Sequence, residues 1–126
     1  MTPTASRVLV VDDEPNIVTS LEFLMRKAGF ETSVVRDGDG VLAEVERFRP
    51  DLVLLDVNLP GQDGFSVCQA LRAAGWTDLI VVMLTAKGRP AEVTKGHEVG
   101  ADDYVTKPFS TRELVAQVRQ LLTGGR

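Results

Sequence analysis

The sequence predicts an α/β fold in which an open sheet of parallel strands carries helices on both faces. Apolar strand-like runs alternate with segments of helical periodicity from one end of the chain to the other. Three of those runs are continuously apolar rather than alternating, as strands covered on both faces must be. A length of 126 residues, 44% hydrophobic and 25% charged, suits a single domain with a conventional core.

The elements follow in order. The first strand is "VLVV" (8–11), and Ile17, Leu21, Leu24 and Ala28 then recur at the spacing of one helix face, with Gly29 as the stop. "TSVV" (32–35) leads into a stripe of Val41, Val45 and Phe48 that ends before Pro50. "LVLL" (52–55) precedes a stripe of Phe65, Cys68 and Leu71. "LIVVML" (79–84) precedes a helix over 90–99, where Val93 and Val99 supply little apolar face and Pro90 suits the first position. "YV" (104–105) is followed by Leu114, Val118, Leu121 and Leu122, behind a Ser110 N-cap whose capping box is completed by Glu113. Five βα units in a row argue for helices on both faces, and right-handed crossovers leave few topologies. In such sheets ligands gather outside the carboxyl ends of the strands, where the strand order reverses.

Composition narrows the function. The formal net charge is −4 and no run of Lys and Arg appears, so direct nucleic-acid contact by this chain is not expected. The longest apolar run is too short to span a bilayer, and "MTPTASR" lacks the pattern of a signal peptide, which predicts a cytoplasmic chain without a membrane partner. Cys68 is the only cysteine, which excludes an internal disulfide and reads as a small core residue. The expectation is one domain over 1–126, with its core at about 7–122 and no output domain.

The residues at the strand exits carry the chemistry. Asp12 and Asp13 follow the first strand, Asp56 the third, Thr85 the fourth and Lys107 the fifth. The second strand ends in "RDGDG", with no distinctive group. Any one of these acids reads as a helix N-cap. Together, on different strands of a parallel sheet, they converge on one edge. Two unit charges 4 Å apart interact by about 4 kcal/mol at an effective dielectric of 20, so three acids call for a cation. An oxygen-only donor set favours Mg²⁺, with Mn²⁺ possible, over zinc or copper.

"VLVVDDEP", "DLVLLDVNLPGQDG", "LTA" and "GADDYVTKPF" resemble, in order and over about Val8 to Leu122, the receiver domains of bacterial two-component response regulators. The resemblance implies a flavodoxin-like doubly wound sheet of order 2-1-3-4-5. It also implies a phosphorylation-activated switch served by a sensor histidine kinase or phosphotransfer protein. Asp56 is then the phosphoacceptor, and Asp13, Asp56 and the Asn58 backbone carbonyl ligate Mg²⁺, with Asp12 acting through a bound water. Thr85 and Lys107 stabilise the phosphoryl group, and Lys107-Pro108 is a cis peptide. Asn58 and Lys87 tune dephosphorylation, while Pro60, Gly61 and Gly64 form a turn. Thr85 and Tyr104 form the switch, although on local sequence Tyr104 reads equally as a half-buried strand aromatic.

The C-terminal part looks closest to receivers joined to winged-helix DNA-binding domains, which dimerise through the 90–99 helix, the fifth strand and the last helix. Asp102, Asp103, Glu113 and Arg119 stand near the places expected for that homodimer, whereas Gln117 and Val93 replace basic residues. The resemblance gives the chain no catalytic turnover beyond its own phosphorylation and slow autodephosphorylation. Two other classes compete. A Mg²⁺-dependent hydrolase passing through an aspartyl phosphate would carry a second acid where Asp56-Val57-Asn58 has none. A flavodoxin-like electron carrier would not place "DDEPN" against a cofactor phosphate. His97 and Glu92 read as surface residues, Glu14 as solvated, and Trp76 as a loop residue.

Overall fold

The computed structural model describes residues 6–86, 94 and 98–124. Five parallel strands form one sheet in the order β2-β1-β3-β4-β5, made of β1 (Arg7–Val11), β2 (Glu31–Val35), β3 (Leu52–Asp56), β4 (Ile80–Ala86) and β5 (Asp103–Lys107). Four helices are described: α1 (Pro15–Lys27), α2 (Val41–Phe48), α3 (Gly64–Ala73) and α4 (Thr111–Leu122). The helix expected over 90–99 lies almost wholly outside the described residues, of which Thr94 and Glu98 are helical. Lys87, Glu92, Val93 and His97 lie outside them as well.

The continuous apolar runs are buried on both faces because successive side chains point to opposite sides of the sheet. Val8, Val10, Leu52, Leu54, Val82 and Leu84 meet Leu21 and Met25 of α1 and Leu114 and Val118 of α4. Leu9, Val11, Val53, Leu55, Val81 and Met83 meet Val41 and Val45 of α2 and Val67, Cys68 and Leu71 of α3. Burying one such side chain contributes about 1.5–3 kcal/mol, and both layers are built from many. The sheet is fixed by this two-sided burial.

Helix α1 is turned slightly from the predicted stripe. Val18, Leu21 and Met25 are its buried residues, and Ile17 and Leu24 flank them, partly buried. Gly29, at φ +97°, stops the helix as expected, in a backbone region that costs other residues strain. At the start of α4 the Ser110 hydroxyl accepts from the Glu113 N–H at 3.3 Å. Helix α3 is capped by Asp63, whose carboxylate accepts from the Ser66 N–H at 2.8 Å. Trp76 is partly buried against the α2–α3 layer, with the Arg49 guanidinium 5.9 Å from its ring centre.

A polar hub pins the other end of the sheet. Arg72 of α3 donates to the carbonyls of Gly100, Trp76 and Leu79 and to the Asp102 carboxylate. The same Asp102 oxygen accepts from the Val81 N–H at 2.9 Å. Asp102, one of the charges expected near a dimer face, makes both of these bonds within its own protomer. A partly buried carboxylate this well satisfied is held by its own chain first.

Candidate functional site

Register alone assembles the site. Asp56 pairs with Leu84 across β3–β4, and Thr85 with Thr106 across β4–β5. The strands run further than predicted, so Asp56 and Lys107 are the last residues of β3 and β5 and Thr85 the last but one of β4, rather than loop residues beyond them. Rigid ladder positions thereby carry three of the five groups. Asp12 and Asp13 follow β1 directly, and the β1–β2 ladder extends one bond further, from the Asp12 N–H to the Val35 carbonyl at 3.2 Å.

The carboxylates of Asp12, Asp13 and Asp56 come together, with one oxygen of each within 4.8 Å of the others. Asp12 is fully buried and Asp56 only 5% exposed, while Asp13 is open to solvent. Lys107 Nζ lies 2.9 Å from Asp12 Oδ2 and 3.5 Å from Asp56 Oδ2. This ammonium thus pairs with two of the three acids. The other Asp12 oxygen accepts from the Glu14 N–H at 3.0 Å, which folds the acid turn but does not cap α1, whose N-cap residue is Glu14.

These surroundings set the electrostatics. Burial pushes the Asp56 carboxyl up to about 6. The Asn58 N–H, donating at 3.1 Å, and Lys107 pull it down, but the charges of Asp12 and Asp13 add to the rise. Burial alone would disfavour the Lys107 ammonium, yet its hydrogen bond to Asp12 and the charge of Asp56 hold its pKa above the ordinary value. A carboxylate whose charged form is disfavoured by burial, and further by two neighbouring acids, has an unmet need for positive charge. A hard dication fits a donor set made of carboxylate oxygens alone, and among the described residues Asp12, Asp13 and Asp56 could hold one.

The remaining candidates fall around this centre. Thr85 is buried, 2% exposed, at the end of β4. The Lys107-Pro108 peptide is cis. Tyr104 is 40% exposed, so its ring lies outward on β5. Gly64 belongs to the first turn of α3 rather than to the turn expected there. A Cβ at Gly64 would stand 2.3 Å from the Asp56 carbonyl oxygen. Its lack of a side chain lets α3 pack directly on the backbone of the central acid, so its role reaches beyond turn chemistry.

The expected dimer charges are engaged locally. The Gln117 side-chain amide donates to Asp103 Oδ2 at 2.9 Å, and Arg119 donates to the Ala28 carbonyl at 3.1 Å. Sequence reasoning passed over two residues, Arg72 and Arg36. Arg36 sits in "RDGDG", and its Nη2 donates to the Asp13 carbonyl oxygen at 3.3 Å. A cation just beyond a strand, beside the strand that ends in two acids, was the available signal.

Comparison with known proteins agrees with this fold. The family model described as "Response regulator receiver domain" matches residues 8–119. The chain is 50% identical over 118 residues to the sensory transduction protein RegX3 of Mycolicibacterium smegmatis, covering 94% of this chain and 51% of that protein. It is 51% identical over 116 residues to the DNA-binding response regulator MtrA of the same species, covering 92% and 50%. The chain therefore spans about half the length of the curated relatives it matches. Among solved structures, a putative response regulator from Chloroflexus aurantiacus superposes with a TM-score of 0.89 at 36% identity, covering 95% of this chain and 99% of that one. Chemotaxis protein CheY4 of Vibrio cholerae superposes at 0.87 and 30% identity, covering 93% and 98%. No described helix is long and apolar enough to cross a membrane. With a two-faced parallel sheet, an acid pocket at its carboxyl edge and these relatives, the chain belongs to the response regulator receiver domain family of two-component signalling proteins.

Proposed function

We propose that residues 7–122 act as one receiver unit in which Asp56 accepts a phosphoryl group from a sensor histidine kinase or phosphotransfer protein. The single observation that carries this reading is the arrangement of Lys107, bonded to buried Asp12 and 3.5 Å from buried Asp56. It leaves Asp56 central among charged groups on a rigid strand end. Asp13, Asp56 and the Asn58 carbonyl would hold Mg²⁺ (or Mn²⁺) directly and Asp12 through a water. When bound, the metal supplies positive charge against the phosphoryl oxygens.

The chain's own residues do the rest. Asp56 is the nucleophile, and its oxygen bonds to phosphorus as the donor's phosphorus bond breaks. Lys107 places a positive charge beside the added oxygens, and the Thr85 hydroxyl donates to one of them. Drawing Thr85 toward that group vacates space beside β5, which the Tyr104 ring can enter from its outward position. The packing of the 90–99 segment, β5 and α4 then shifts between two populations. That face contacts the partner or a second copy of the chain, and Asn58 and Lys87 tune the return by slow self-hydrolysis. The proposed role is a switch working in the cytoplasm, with no turnover of an external substrate and no nucleic-acid contact of its own.

The test is intact-mass measurement after incubation with acetyl phosphate and Mg²⁺. The wild type should gain one phosphoryl adduct, lost on omission of the metal, and Asp56→Asn should gain none. A persistent acyl-phosphate adduct on the folded Asn variant would overturn the assignment.

A further inference from the structure

The mouth of the acid site carries a second cation, on the opposite side from Lys107. Val11 and Val35 are register partners on β1 and β2, and the ladder's extra bond to Asp12 brings the next residue, Arg36, alongside Asp13. Arg36 is exposed, and its guanidinium donates to the Asp13 main-chain oxygen at 3.3 Å. Among the described residues no carboxylate stands within 4 Å of it, whereas Lys107 is tied to two. Its charge is therefore fixed at the rim by a neutral acceptor and left unneutralised.

From this placement we infer that Arg36 is an electrostatic positioning residue of the phosphorylation site, drawing anionic phosphodonors toward Asp56 while opposing the binding of a divalent cation. The inference rests on Asp56 being the phosphoacceptor. A fixed positive charge lowers the energy of an approaching anion and raises that of a cation by the same field. The Debye length is about 8 Å at physiological ionic strength, so added salt should shrink both effects together. The two effects therefore have opposite signs. A scaffolding role for Arg36 would move both in one direction.

The reaction used as a probe is transfer from acetyl phosphate. A bond forms between an Asp56 carboxylate oxygen and phosphorus while the bond from phosphorus to the acetyl oxygen breaks, and acetate leaves with that electron pair. In Arg36→Gln, the acetyl phosphate concentration for half-maximal rate should rise roughly two- to fivefold with the maximal rate unchanged. Mg²⁺, titrated calorimetrically into the unphosphorylated chain, should bind more tightly by a similar factor. Arg36→Lys should restore both values, because it keeps the charge and loses the planar fork. Weaker binding of both ligands in Arg36→Gln, no change in either, or failure of Lys to restore them would each overturn the inference while leaving Asp56 in place. Absence of any adduct on the wild type would instead remove the acceptor assignment, and this inference with it.

Discussion

Replacing Asp56 by Asn should stabilise the metal-free protein, and the size of the gain follows from the site. Burial and the charges of Asp12 and Asp13 outweigh the Asn58 N–H and Lys107, raising the carboxyl from its ordinary 3.8 to about 6. That rise is roughly 2 pH units, and at about 1.36 kcal/mol per unit the ionised carboxylate costs the folded state at most about 3 kcal/mol. Asn keeps the shape without the charge, so at pH 7.5 in EDTA the variant should be more stable by about 2–3 kcal/mol. The sign follows from proton binding. Between about pH 4 and 6 the folded wild type holds more protons than the unfolded chain, so its stability falls as pH rises through that window. The gain of the variant should therefore be full above pH 7 and vanish near pH 4. Urea unfolding of both proteins at several pH values, with equal m-values as the two-state check, measures it. A variant no more stable at pH 7.5, or a gain that persists unchanged at pH 4, would refute the electrostatic account of the pocket.

Other expectations follow from the same structure. Millimolar Mg²⁺ should raise the melting temperature of the wild type and raise that of Asp56→Asn far less, since ligand binding to the folded state alone stabilises it. An equal shift in both would place the cation elsewhere. Lys107→Met should cost about 2–4 kcal/mol in EDTA by leaving fully buried Asp12 without its ammonium, and equilibrium unfolding would show it. Arg72→Met should cost about 3 kcal/mol, because it takes the guanidinium from three carbonyls and removes one of the partners of Asp102. Hydrogen exchange should then report loss of protection around 100–102 and at Val81, with Asp56 still phosphorylated. Gly64→Ala should destabilise by about 2–4 kcal/mol despite alanine's better helix propensity of about 1 kcal/mol, because its Cβ would overlap the Asp56 carbonyl. Thermal unfolding decides the sign.

Local pattern was legible in the chain before folding. Continuous apolar runs specify strands buried on both faces, and stripes at helical spacing specify the layers around them. The residues at strand exits are already aligned by the shared direction of a parallel sheet. That is why Asp12, Asp13, Asp56, Thr85 and Lys107 can be gathered from the sequence alone, and why the observed strand ends differ from the expected ones by only a residue or two.

Only the tertiary structure decided what depends on distant segments meeting. Arg72 is one cation on a helix until Gly100 and Asp102, 28 and 30 residues on, arrive to accept its bonds. Asp102 then joins α3 to the start of β4 within its own protomer. Gly64 looks like a turn glycine until α3 lies on the Asp56 backbone, and Arg36 looks like a loop charge until β2 pairs with β1. Local sequence encodes which face of an element is apolar. The rank of a polar group among its partners is set by burial and distance, which arise only when the chain closes.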